Sequence, residues 1–208
     1  MKTKRKALLL SLCAVLLVVA SVMGTMAYLT DSAEVKNTFT VGSNVAITLD
    51  EAKVDENGVP VPSTDDKPVA RVDRNEYKLM PGHTYTKDPT VRVTGEDCYV
   101  FVKVSNGIST IEATGNTTIV AQMAANGWKA VDGQPGLYIY AKGEDTKTVA
   151  KANDKLLVFG TFTVKDDAKI GDLEAVKTAN ITITAYAVQK DGFENSTSAQ
   201  IWNAAFGA

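Results

Sequence analysis

Apolar positions are distributed along this chain in two ways. Residues 7–27 form one nearly unbroken apolar stretch, with only Ser11, Cys13, Ser21, Gly24 and Thr25 as small interruptions. From residue 45 onward the apolar positions alternate or gather in short runs. Val45, Ile47 and Leu49 alternate with Ala46 and Thr48, the period of two expected of a half-buried strand. Tyr99–Val104 is the strongest strand signal: Val100, Val102 and Val104 point one way, Tyr99, Phe101 and Lys103 the other. Leu137–Tyr140 is entered through the turn formers Gln134-Pro135-Gly136. Residues 156–164 carry Leu157, Phe159, Phe162 and Val164, with Gly160 as a candidate bulge. Residues 181–188 alternate again.

Short strands separated by Gly, Asn, Asp and Pro clusters predict an all-β domain, a sandwich or jelly roll. The βα alternation of a doubly wound fold is missing. Two short helices are predicted. Residues 117–126 hold Ile119 and Met123 on one face and stop at Asn126-Gly127. Residues 198–206 carry Ile201, Trp202, Ala205 and Phe206 on one stripe, which should pack on the sandwich. Residues 50–76, with three prolines and dense charge, read as a long surface loop with an exposed hairpin at Asn57-Gly58.

The apolar stretch has a second reading besides core. Lys2, Lys4, Arg5 and Lys6 precede it, and Thr25-Met26-Ala27 supplies a small-x-small exit. This is the pattern of a secretory signal, an N-terminal signal helix over 1–27 cut between Ala27 and Tyr28. The alternative is a retained anchor, since about 20 apolar residues span a bilayer. Cys13 follows Leu12 early in the run, so it does not read as a lipid attachment site. The predicted organisation is a signal peptide (1–27), an N-terminal segment (28–41) and a β-sandwich domain (42–208) with its charged loop at 50–76.

Charge narrows the function classes. The chain has 22 basic and 24 acidic residues; the signal removes four basic ones, leaving 18 against 24. A mildly acidic, mixed surface argues against nucleic-acid binding. Of two cysteines, Cys13 leaves with the signal and Cys98 remains, so an intramolecular disulfide is ruled out for the processed chain. Asp97-Cys98-Tyr99-Val100 reads as the start of a core strand, which makes Cys98 a buried small hydrophobe, with pairing between chains as the alternative.

Catalytic constellations are sparse. His83 is the single histidine, in the turn Pro81-Gly82-His83-Thr84, and is expected to be exposed. His-Glu-x-x-His and Gly-x-Ser-x-Gly do not occur, nor does a phosphate loop or dinucleotide fingerprint. Asp55, Glu56, Asp65, Asp66, Asp166 and Asp167 offer oxygen ligands for calcium without EF-hand spacing, so solvated loop charge is the simpler reading. Trp128, Tyr138 and Tyr140 suit a sugar-binding platform, but at alternating positions they read first as core and sheet surface. These residues assign no catalytic, cofactor or metal site and point to a protein that is not an enzyme.

Three stretches carry a family resemblance. Gly24-Thr25-Met26-Ala27-Tyr28-Leu29-Thr30-Asp31, followed by Asn37-Thr38-Phe39-Thr40-Val41-Gly42, resembles the start of the TasA/camelysin family exported with SipW-type signal peptidases. Leu29 stands where the family often has Phe. Leu79-Met80-Pro81-Gly82, with Lys87 downstream, is similar to a Leu-x-Pro-Gly-x-x-x-x-Lys stretch ahead of a strand. Ala185-Tyr186-Ala187-Val188-Gln189, with Trp202 downstream, is similar to the family's late strand.

The resemblance implies a jelly-roll-like β-sandwich, processing by a SipW-like signal peptidase in a Gram-positive-type bacterium, and secretion to the cell surface or extracellular matrix. It implies a biofilm-fibre subunit or accessory that self-associates or joins a related subunit by strand addition, touching membrane only through an uncleaved signal. The donor segment would be 28–41, with Tyr28, Leu29, Val35, Phe39 and Val41 as its apolar contacts; a disordered or self-paired N-terminus is the alternative. Camelysin is described as a metallopeptidase, but this chain shows no ligand set to map onto that activity, and it is not carried over. A surface adhesin or binding module using the loop 50–76 or the Tyr face is the competing class, and a camelysin-like secreted metallopeptidase dependent on His83 is the third.

Overall fold

The computed structural model describes residues 30–33, 44–62 and 68–207. Among the described residues there are eleven strands: β1 (Thr30–Ala33), β2 (Ile47–Ala52), β3 (Arg71–Val72), β4 (Thr84–Thr86), β5 (Thr90–Val93), β6 (Cys98–Asn106), β7 (Trp128–Ala130), β8 (Leu137–Tyr140), β9 (Lys155–Leu157), β10 (Thr161–Thr163) and β11 (Ile181–Gln189). Three α-helices accompany them: α1 (Ile119–Ala125), α2 (Ile170–Ala175) and α3 (Ser198–Phe206). All pairings are antiparallel. One sheet has the order β1-β11-β6-β8-β7, the other β3-β2-β5-β9, and β10 pairs with β4.

The β6–β11 pair is the spine of the larger sheet, in register over nine residues from Ile181 opposite Asn106 to Gln189 opposite Cys98. The alternation read in the sequence decides what each face covers. Val100, Val102, Ala185 and Ala187 join Val45, Ile47, Val91, Val93 and Leu156 from the second sheet in one buried cluster. Tyr99, Phe101, Ile139 and Val188 face the other way, under α3, where Ile201 is fully buried. Trp202 lies 5.6 Å from the Phe101 ring and edge-on to Tyr186 at 5.0 Å. The β-sandwich expected from the pattern is therefore the architecture, with α3 as a third layer. Thr197 caps α3 by accepting from Gln200 N, while the Gln200 side chain accepts from Thr197 N. Lys147 Nζ holds the approach to α3 by donating to the carbonyls of Phe193, Glu194 and Ser196 while lying over the Tyr99 ring.

The bulge expected at Gly160 is not there. Thr86 faces Thr161 and Thr90 faces Leu157, four positions apart on each strand, so no residue is inserted between β9 and β10. The ladder is interrupted opposite Pro89, which has no N–H to give. Val158 N still donates to Pro89 O and Lys87 N to Gly160 O. Residues 84–93 and 155–163 thus form one long pair joining the ribbon to the sandwich.

Residues 50–76 also differ from the expected loop. β2 continues through Ala52, and Arg71–Val72 adds beside it. The hairpin at Asn57-Gly58 exists, with Asp55 Oδ1 accepting from Asn57 N and Val59 N; Asp55, Glu56 and Val59 are exposed as expected, while Gly58 is buried. Gly58 has φ +75°, and a Cβ there would lie 2.8 Å from Tyr85 Cα, so only glycine lets the hairpin reach β4. Helix α2 has no counterpart among the elements predicted. Among the described residues no helix is long and apolar enough to cross a membrane.

Candidate functional site

Two places concentrate the groups that could act on something. The first is the outer edge of β11. Thr30, Asp31, Ser32 and Ala33 lie opposite Val188, Ala187, Tyr186 and Ala185, so the backbone just beyond the predicted cleavage point forms the edge strand of the larger sheet. Over these four residues the N-terminal segment is self-paired. Ala27 and Tyr28, and the proposed donor contacts Tyr28, Leu29, Val35, Phe39 and Val41, lie outside the described residues. A four-residue edge strand is held by few main-chain bonds, and an edge is the part of a sheet most open to exchange.

The second is a cavity of about 1040 Å³ between β2, residues 73–79, α2 and the start of β11. Leu49, Leu79, Ile108, Phe162 and Ile181 supply apolar wall. Its polar groups come from the inner-face parity of the strands. Glu51 continues the alternation Val45, Ile47, Leu49; Lys87 continues from Tyr85. Both are buried, at 4% and 9% exposure. Lys87 Nζ donates to Glu51 Oε2 at 2.6 Å, and Asn75 Nδ2 donates to Glu51 Oε1 at 2.8 Å. Asn75 Nδ2 also reaches Ala52 O at 2.9 Å, and its Oδ1 accepts from Val54 N at 3.0 Å. That network fixes which end of the amide is nitrogen.

Aromatic rings stand beside Lys87. Tyr77 stands edge-on to Phe162 at 5.1 Å and to Tyr85 at 5.7 Å, and Lys87 Nζ lies 5.9 Å from the Tyr77 ring centre. The Tyr77 hydroxyl donates to Thr86 O. Burial first, and then the Glu51 charge, pushes its pKa well above the usual phenol range. Removing a carboxylate and an ammonium from water is expensive, and a buried pair adds little net stability over an apolar one. From the cavity wall, Asp50 binds Arg71 at 2.6 Å and, through its other oxygen, Arg92 at 2.8 Å; Arg71 also bridges Asp88 at 2.5 Å, which ties β3, β2 and β5 together.

The remaining candidates resolve as follows. His83 is half-buried, not exposed as expected: its Nε2 donates to Asn57 O at 2.9 Å and its ring stands 4.5 Å from Tyr85. It is a strut for the 53–61 hairpin. Cys98 is fully buried and free, and desolvation followed by the charges of Asp97 and Asp154 pushes its thiol up to about 12. A thiol so held is not a nucleophile at neutral pH. Trp128 and Tyr140 are buried core, 5.6 Å apart, with Trp128 Nε1 donating to Leu157 O across the sheets; Tyr138 is half-buried. Asp55 is occupied by its turn, and Asp65 and Asp66 lie outside the described residues. Among the described residues no three His, Cys, Asp or Glu side chains converge to hold a metal ion. The Glu51–Lys87–Asn75 trio was not anticipated; the signal available was the strand parity that carries Glu51 inward after Leu49. No family model matches the chain, and no curated protein and no solved structure matches it.

Proposed function

We propose that this is an exported cell-surface or extracellular-matrix protein, a TasA-like fibre subunit or accessory that assembles by strand addition and is licensed by cleavage after Ala27. The observation that carries the reading is the pairing of Thr30–Ala33 on the outer edge of β11. The same main-chain bonds form whether the strand comes from the same copy or a neighbour, so exchange needs no new contact, only opening of the edge. The resemblance in residues 24–42 and 185–202 supports the same conclusion, as does the apolar character of Tyr28, Leu29, Val35, Phe39 and Val41.

The test is the N-terminal residue and oligomeric state of the protein released by its native host. A Tyr28 start with high-mass polymers supports cleavage-licensed exchange. A Tyr28 start with monomer only favours a surface-binding module, for which the cavity beside β2 is the natural seat. An uncut Met1 start in the membrane fraction sinks the secreted-fibre reading and makes the protein a tethered surface domain.

A further inference from the structure

The Glu51 carboxylate holds two nitrogens of different chemistry, one on each oxygen. Lys87 Nζ is an amine and Asn75 Nδ2 is the leaving end of a carboxamide. A structural ion pair would need only the ammonium and the carboxylate. Here the amide is also oriented, its nitrogen on Glu51 and its oxygen on the Val54 N–H. We propose that this trio is a self-modification site at which Lys87 Nζ and Asn75 Cγ join in an intramolecular isopeptide bond, with Glu51 carrying the protons. The inference goes beyond the assembly reading and does not depend on it.

The chemistry balances within the chain. A proton passes from Lys87 Nζ to Glu51 Oε2 along the 2.6 Å hydrogen bond, which leaves an amine with a free lone pair. The exchange replaces the buried ion pair by a neutral amine and a neutral acid on the same hydrogen bond. The lone pair attacks Asn75 Cγ, and the carbonyl electrons move onto Oδ1. The Val54 N–H, 3.0 Å from Oδ1, is placed where that negative charge develops. Glu51 gives its proton to Nδ2; the Cγ–Nδ2 bond breaks, the carbonyl reforms and ammonia departs. The second proton lost by Nζ returns to Glu51 and leaves with ammonia as ammonium. The net change is an ammonium and a carboxamide converted to a secondary amide and an ammonium ion, with no oxidant, reductant or cofactor. The adjoining cavity, which Glu51, Asn75 and Lys87 line, gives ammonia a way out. The product would close the loop from residue 75 to residue 87 covalently and fix the 73–79 segment to the β4 strand.

The experiment is intact-mass and peptide mapping of the folded wild-type chain. The expected mass is lower than the sequence mass by one ammonia, in most molecules. Trypsin would still cut after Arg74, Lys78 and Arg92 but no longer after the acylated Lys87, so residues 75–78 should appear joined to residues 79–92 as one branched peptide. Asn75→Ala and Lys87→Arg should restore the sequence mass, and Asn75→Ala should restore cleavage after Lys87. Glu51→Gln should reduce the linked fraction at least tenfold. Where that variant does not fold, the wild-type digest decides. Sequence mass with 75–78 and 79–87 recovered as separate peptides overturns the proposal. So does an ammonia loss that maps to Asn57-Gly58, where a succinimide would give the same mass. A Glu51→Gln protein linked to the wild-type extent overturns the role given to Glu51.

Discussion

Replacing both Asp31 and Ser32 by proline should leave the fold standing and stop assembly. Successive N–H groups of a strand point to opposite sides, so the double change removes whichever one faces β11 and fixes φ at both positions. Ordering four residues of β1 costs about 1–2 kcal/mol each in backbone entropy. Against this stand main-chain hydrogen bonds worth about 0.5–1.5 kcal/mol net each. The two sides nearly cancel. Docking of β1 on its own chain is therefore worth close to zero, and its loss should change global stability by less than about 1 kcal/mol. Urea unfolding followed by Trp128 and Trp202 fluorescence gives that number, with the slope unchanged; sedimentation of the same sample gives the assembly state. A loss of about 3 kcal/mol or more, of the size seen for core truncations, would show that β1 is an integral strand. Undiminished assembly by the double variant would refute its role as donor.

Other consequences are as specific. Ile201→Ala should cost about 2–5 kcal/mol, because Ile201 is fully buried between α3 and the Phe101 face; a loss under about 1 kcal/mol would mean that α3 does not seal that face. Trp128→Phe should cost about 1–3 kcal/mol, since it leaves the Leu157 carbonyl without the indole N–H that reaches it from the other sheet; urea midpoints check it. Cys98 should resist alkylation in the native protein and react once unfolded. Its folded-state pKa, about 12, lies above that of an unfolded thiol, so its contribution to stability is whole below about pH 8.5 and is lost as pH rises toward the folded value. Cys98→Ala should therefore flatten the alkaline fall in stability over that window, and equal slopes for the two proteins would contradict the burial account.

The elements with a strong period were legible without coordinates. Val45–Leu49, Tyr99–Val104, Leu137–Tyr140 and residues 181–188 became β2, β6, β8 and β11, and both predicted helices are present. What the period could not reveal was made by long-range partners. Arg71–Val72 has no alternation to detect and is a strand because Arg71 is pinned between Asp50 and Asp88. The ladder gap near Gly160 belongs to Pro89 on the opposite strand, so glycine was the wrong residue to read. The charged stretch after Leu49 resembled solvated loop because Glu51 is an ordinary surface residue until Lys87 and Asn75, far along the chain, become its partners. His83 was misplaced for the same reason: the carbonyl of Asn57 that holds it comes from a hairpin 26 residues away.

The central claim, that the N-terminal strand can leave its own chain for a neighbour, is tested most directly by trapping the register. Thr30 and Val188 face each other in β1 and β11, so a chain starting at Tyr28 and carrying Thr30→Cys and Val188→Cys can be oxidised after incubation under assembly conditions. Strand exchange predicts a ladder of covalent multimers on a non-reducing gel, collapsing to one band with reductant. A single monomer band with the disulfide inside one chain, under every assembly condition, would contradict the account.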